Sequence, residues 1–332
     1  MSSTAGRIVR WTTKALLWAI VAILVLLLIG AIYQAIATEV DHRRYPPPGE
    51  LVEVGDHRLH IHCVGEGSPT VILESTSDGT SANWGWVQPE VAKSTRVCAY
   101  DRAGRGWSEL GPQPRDAIQI ASELQALLRN ADVPGPYVLV GHSAGGLFVR
   151  EYAEQYPNEV VGMVLLDASH PDSTTIPSEK EGLEFARGLF TVTPWLAPFG
   201  IDRLFYGWGL IDIAAGLPPE QVEQIEAFWS ARKMHESSRD ELAVRQSRTE
   251  PQVRRTGDLG DMPLMVISAD KQPADWFELQ EELATLSSES VHEVIERSTH
   301  LSLAFDEADA QATSAAILEV VEAVRNDQPL TP

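Results

Sequence analysis

The sequence predicts an α/β protein: a mostly parallel sheet covered by helices on both faces, preceded by one apolar helix. Three observations carry this. From residue 51 onward, short apolar β-prone runs alternate with stretches of helical periodicity. One of these runs, Tyr137 to Val140, enters Gly141-His142-Ser143-Ala144-Gly145-Gly146 and is followed directly by a helix-like stretch, Leu147 to Tyr156. Ahead of all of them lie nineteen residues without a charge, Ala15 to Tyr33.

The amino-terminal stretch is about as long as a helix that spans a bilayer core, roughly 20 residues. Arg7, Arg10 and Lys14 precede it, and Glu39, Asp41, Arg43 and Arg44 follow it. That bias predicts an uncleaved single-pass membrane anchor over 15–37 with residues 1–14 in the cytoplasm and the rest extracytoplasmic. The competing reading is a cleaved signal peptide, for which Ala35-Ile36-Ala37 fits the small-x-small pattern. Asp41 to Glu50, with three consecutive prolines, reads as a stiff extended spacer, so that 38–50 is a linker.

The sheet follows. Leu51 to Val54 and Arg58 to Val64, around a Gly55-Asp56 turn, read as a hairpin. Further strands are expected at Thr70 to Leu73, Arg96 to Tyr100, Tyr137 to Val140, Val161 to Leu166, Leu264 to Ser268 and Ser290 to Ile295. Helices are expected around Trp84 to Ala92, over Ala117 to Leu128 with apolar residues at helical spacing, and over Asp309 to Val324. His57, His60 and His62 on the hairpin read as solvated polar residues rather than metal ligands. The loop Asp101 to Ser108 (DRAGRGWS) reads as one pinned by its own charges.

The formal net charge is −21, which argues against a nucleic-acid partner, since phosphate binding needs a basic face. The two cysteines have no Cys/His cluster beside them, so no zinc module, and no metal or other cofactor, is indicated.

Gly-x-Ser-x-Gly between a strand and a helix is the pattern of a nucleophile elbow, a tight turn that holds a serine at positive φ with its Oγ exposed at the carboxyl edge of a sheet. Gly141 and Gly145 fit the places where side chains would collide as the turn closes. With the hairpin, DRAGRGWS, Gly141 to Gly146 (GHSAGG), Asp167 at a strand end and His300 in Ser298-Thr299-His300, the chain resembles the α/β-hydrolase superfamily, in its serine acyl-hydrolase form with a helical cap. The resemblance runs from about residue 51 to the end. It implies an eight-stranded, mostly parallel sheet built from 51–167 and 263–332, with a helical cap at 168–262.

It also implies roles. Ser143 is the expected nucleophile and His300 the base that activates it, in the chain order Ser…Asp…His. His142 is expected to point away from Oγ, under the oxyanion loop, and His170 and His292 have no motif context. The acid has two candidates. In the commoner family arrangement it stands where this chain has Gln272, which cannot serve; Asp167 is favoured, with Asp270 the alternative. The oxyanion hole is expected from the N–H groups of Ala144 and Thr76, the latter in a loop reading Glu74-Ser75 where many relatives have His-Gly.

The cap carries many aromatic residues, among them Phe185, Phe190, Trp195, Phe205, Trp208 and Trp229, which predicts an apolar acyl or alcohol pocket. Cys63 and Cys98 fall on strands that neighbour each other in the superfamily, so a cross-strand disulfide and two buried thiols are both open. The resulting expectation is a carboxylic-ester hydrolase acting on a small-molecule ester, with the membrane as its other partner and its oligomeric state open. An aminopeptidase, a carbon–carbon hydrolase and a ligand-binding sensor with little turnover are the alternatives. Epoxide hydrolases and dehalogenases of this fold carry a carboxylate at the elbow, where this chain has Ser143.

Overall fold

The uncharged amino-terminal stretch lies within one unbroken helix, α1 (Ser2–Arg44), with its apolar side chains exposed along most of its length. It is the one helix, among the described residues, long and apolar enough to cross a membrane. The structure, a computed structural model, describes residues 2–208 and 212–330; residues 1, 209–211 and 331–332 of the predicted tail, cap and core lie outside them. The helix continues where an extended linker was expected at 38–50. Glu39 pairs with Arg43 one turn on, and Asp41 and Arg44 are tied to Arg203 and Glu223 at 2.5 and 2.8 Å. Only the run from Tyr45 to Gly49 is left as a spacer, because Pro46 ends the helix at the residue before Tyr45.

The chain then builds one eight-stranded sheet in the order β1-β2-β4-β3-β5-β6-β7-β8. β1 (Glu50–Val54), β2 (His57–Val64) and β4 (Val97–Tyr100) form the antiparallel edge. β3 (Thr70–Glu74), β5 (Tyr137–His142), β6 (Val160–Leu166), β7 (Leu264–Ala269) and β8 (Ser290–Ile295) continue it in parallel from β4. β3, β5 and β7 are buried at every position, which is why they read as continuous apolar runs rather than alternating ones.

One face of the sheet packs against α2 (Val87–Val91), α11 (Ser302–Phe305) and α12 (Glu307–Asn326). The other packs against α3 (Ala117–Asn130), α4 (Gly145–Gln155) and α10 (Ala274–Ala284). The helix expected around Trp84 to Ala92 is a 3-10 turn, Ser81–Trp84, followed by the short α2.

The cap between β6 and β7 contains α5 (Pro177–Leu196), α6 (Ile201–Gly207), α7 (Pro219–Trp229), α8 (Arg232–Val244) and α9 (Glu250–Val253). The helical run breaks between α7 and α8. Gln34 Nε2 of α1 donates to the Ser230 carbonyl at 2.6 Å, and Ala231 turns extended.

Cys63 and Cys98 face each other directly across β2 and β4 and form a disulfide. The hairpin histidines depart from expectation. His60 is fully buried with Nδ1 2.9 Å from Asp101 Oδ2, and His57 is buried beside Asp56 and Glu123. Asp101 and Glu123 come from far along the chain, so β2 alone gives no sign of them.

Candidate active site

The topology brings the ends of β3, β5, β6, β7 and β8 to one edge, the edge where open α/β sheets place their ligands. Ser143 follows β5 at φ +56°, the strained left-handed conformation expected of an elbow. Its backbone is clamped: the N–H donates to Leu166 O at 3.1 Å, and its carbonyl accepts from Ser169 N at 2.8 Å and Gly146 N at 3.0 Å. The glycines are needed for close approach. A Cβ at Gly141 would meet Gly146 Cα and N at 2.7 Å, and one at Gly146 would meet Ala168 Cβ at 2.5 Å.

Asp167 follows β6, also at positive φ (+40°), and is fully buried. His300 lies in the loop after β8, with Nδ1 2.6 Å from Asp167 Oδ2. The same carboxylate accepts a side-chain N–H from Gln272 on Oδ2, and Trp276 Nε1 at 2.8 Å and Ala269 N at 3.3 Å on Oδ1. Burial alone would raise the Asp167 carboxyl. The hydrogen bond and charge of His300, with the bonds from Gln272 and Trp276, outweigh it and hold the group below the usual carboxylate range.

Asp270 is placed elsewhere. It accepts from Arg297 N at 3.0 Å and its own N–H donates to Ser298 Oγ, so it fixes the loop that carries His300 rather than touching the imidazole. His170 and His292 also lie apart, bonded to Asp172 N and Ser268 Oγ.

His142 has partners that the sequence did not show. It is buried with Nε2 2.9 Å from the His300 carbonyl, its ring between Trp84 and His300. Burial, reinforced by His300 and opposed by Asp167, pushes it down to about 3, so it is a neutral imidazole that donates Nε2–H to that carbonyl.

The loop after β3 lies against the start of α4: a Cβ at Gly145 would meet Glu74 O at 2.6 Å and Ser75 O at 2.8 Å. Arg102 holds this loop from the other side. Its guanidinium donates to the carbonyls of Ser75, Thr76 and Ser77 at 3.1, 2.8 and 3.0 Å, and pairs with buried Glu74 and Glu241. The carbonyls of this loop are thus engaged away from the cavity. Among the described residues, neither the Ala144 N–H nor the Thr76 N–H has a backbone acceptor.

Ser143, Gln272, Trp276 and His300 line a cavity of about 370 Å³ roofed by the cap. The lining does not match the apolar pocket expected from the cap's aromatics. It is mixed: serine and threonine hydroxyls, Asp78, Glu179 and Arg245 share it with Leu183, Ala186, Leu242 and Trp276. Phe190 and Trp229 pack with each other in the cap's own core, while Phe185, Trp195 and Trp208 face outward. Aromatic count along a chain does not report which side of a helix it falls on.

Sequence reasoning missed three contributors. Gln272 and Trp276 reach Asp167 from the loop and helix after β7, and His142 reaches the backbone of His300. Only Gln272 carried a signal, since it occupies the position where relatives often place the acid.

This sheet, with its elbow and cap, is a hydrolase fold. The chain belongs to the alpha/beta hydrolase family, whose model matches residues 59–316. An uncharacterized protein of Schizosaccharomyces pombe is 28% identical over 289 residues, covering 76% of this chain and 52% of that one; the chain thus spans about half the length of this relative. Among solved structures, an esterase from Exiguobacterium antarcticum superposes with a TM-score of 0.65 at 15% identity, covering 82% of this chain and 99% of that one. The epoxide hydrolase CorEH does so with 0.65 at 18% identity, covering 81% and 96%. At such identities the likeness is one of fold.

Proposed function

We propose that the chain is a membrane-tethered serine hydrolase that cleaves carboxylic esters through an acyl-enzyme on Ser143. The observation that carries this reading is the 2.6 Å bond between His300 Nδ1 and Asp167, at the edge of a cavity that Ser143 and His300 both line. A serine at the elbow separates the chemistry from that of the epoxide-hydrolase neighbours.

In this reading Asp167 holds the proton on His300 Nδ1, which leaves Nε2 to take the Ser143 proton as Oγ attacks the ester carbonyl. The N–H groups of Ala144 and Thr76 receive the oxyanion, aided by the amino-terminal end of α4. The C–O bond to the leaving group breaks, and His300 returns the proton to the departing alkoxide. Water, deprotonated by His300, then attacks the acyl carbon, and the Ser143 ester breaks as His300 returns that proton to Oγ, releasing the acid. The mixed lining favours an ester that carries both a polar and an apolar portion.

The tether reading is supported by the length and apolarity of α1, by Arg7, Arg10 and Lys14 ahead of its uncharged stretch, and by the Cys63–Cys98 disulfide, a bond that persists in oxidising compartments. Hydrolysis of a nitrophenyl acyl ester panel by the purified full chain tests the chemistry. Turnover by wild type and background rates for Ser143→Ala are expected; equal rates for the two would overturn the reading.

A further inference from the structure

We infer that the outer face of α5 and α6 is a bilayer-docking surface, which holds the cap, and the cavity beneath it, against the membrane that α1 enters. The inference rests on the tether reading above and extends it from the anchor to the catalytic domain.

The first observation is the distribution of charge. The chain carries a net −21, yet between Phe185 and Trp208 no exposed residue is charged. The three charged residues in this segment turn inward: Arg187 to Leu242 O and Gln246, Asp202 to His235, and Arg203 to Asp41 and Gln34. What faces out is Phe185, Leu189, Val192, Trp195 and Leu196 along one stripe of α5, with Leu204, Phe205 and Trp208 beyond it. Phe185, Trp195 and Trp208 are 73%, 67% and 68% exposed, an expense in water for a soluble face of this size.

The second observation names the occupant. A bilayer core takes about 20 helical residues, so a span beginning at Ala15 ends near Gln34. At that level α1 meets the cap. The backbone of Gly30 packs against the Phe199 carbonyl, so closely that a Cβ there would clash with it. Tyr33 lies against Gly200, and Gln34 is bonded to Ser230 O and to Arg203. The junction of α5 and α6 therefore sits at the depth where the apolar span of α1 ends, and the stripe continues from it. Tryptophans at that level, one with Arg232 5.7 Å over its ring, have the composition of a membrane interface.

The third observation links the face to the site. The opposite side of α5, through Gly182, Leu183 and Ala186, is a wall of the cavity at Ser143. One helix thus separates bilayer from cavity, and the substrate class this arrangement serves is an amphiphilic ester resident in the membrane, its ester group reaching Ser143 in the cavity.

The test uses the full chain reconstituted in phosphatidylcholine vesicles, with an environment-sensitive fluorophore on a single introduced cysteine at Ile23, Val192 or Leu204, and at Glu289 as a remote control. Native Cys63 and Cys98 are in the disulfide. Lipids carrying a doxyl quencher near the headgroup are expected to quench Val192→Cys and Leu204→Cys, and deep doxyl lipids Ile23→Cys, with Glu289→Cys unaffected. Quenching at Ile23 without quenching at Val192 and Leu204 would overturn the docking surface and leave the tether standing. No quenching at Ile23 would overturn the tether and the inference with it. In parallel, Leu189→Glu/Val192→Glu is expected to lower kcat/KM on a vesicle-embedded ester by roughly fivefold or more through lost interfacial contact, with turnover of a short soluble ester within about twofold of wild type. An equal loss on both esters would contradict the proposed route from the bilayer.

Discussion

Gln272 donates its side-chain N–H to the same Asp167 oxygen that His300 Nδ1 approaches at 2.6 Å. In the proposed mechanism Gln272 thereby supports Asp167, the acid on the preceding strand. Asp167→Asn is expected to lower kcat by about 10⁴ with little change in KM, the effect of losing the acid from such a triad. Gln272→Leu should lower kcat about tenfold, the scale of one hydrogen bond to a charged group. Asp270→Asn should stay within about twofold of wild type, since the Asp270 carboxylate accepts the Arg297 N–H and does not bond the imidazole. Steady-state kinetics on the three variants decide this, and a loss in Asp270→Asn equal to that in Asp167→Asn would reverse the assignment.

The buried neutral His142 gives stability a pH dependence. Its folded pKa of about 3 lies below the unfolded value of about 6.5. Between these pH values the unfolded chain binds a proton that the folded chain does not. Stability is therefore intact above pH 6.5 and falls as pH drops toward 3, by up to about 1.4 kcal/mol per pH unit from this residue. Urea unfolding at pH 7 and pH 5 should show a loss about 2 kcal/mol smaller for His142→Asn than for wild type. His62, His170 and His292, also lowered by burial, act in the same direction and are common to both proteins.

Arg102 joins the loop after β3 to the cap through Glu74 and Glu241, both buried. Arg102→Ala leaves two buried carboxylates without this partner and three loop carbonyls without their donor. A destabilisation of roughly 3–5 kcal/mol is expected in equilibrium unfolding, the cost of breaking a buried ion pair from one side. A change below about 1 kcal/mol would mean that the network contributes no more than a surface pair.

The Cys63–Cys98 bridge closes a loop with a sequence separation of 35. Loop entropy assigns it about 4 kcal/mol of stabilisation. Cys63→Ala/Cys98→Ala should lower the unfolding free energy by about that amount, read from urea titration, and alkylation of the denatured, unreduced wild type should label neither cysteine.

What was legible in the sequence was local. Gly141 to Gly146 specified the elbow because strand, turn and helix are contiguous there, and Leu165-Leu166-Asp167 showed a carboxylate at a strand end. Of the partners of Asp167, His300 was expected from the chain order, but Gln272 and Trp276 were not legible, because they meet it only when β6 and β7 lie side by side. His60 and Asp101 pair across strands for the same reason. The linker was misread because three prolines dominate 38–50, whereas Glu39–Arg43 and the ties to Arg203 and Glu223 keep 38–44 helical. The number of aromatics in the cap does not say which face they take. The spacing of Phe185, Leu189, Val192 and Trp195 does carry that information, as a single stripe on α5.

The central claim is that Ser143 is an activated nucleophile. Its most direct test is labelling of the full chain in membranes with a fluorophosphonate, followed by peptide mapping. A single adduct on Ser143, absent in Ser143→Ala and strongly slowed in His300→Ala, is the predicted result. Folded wild-type protein that stays unlabelled, or an adduct on another serine, would contradict the account.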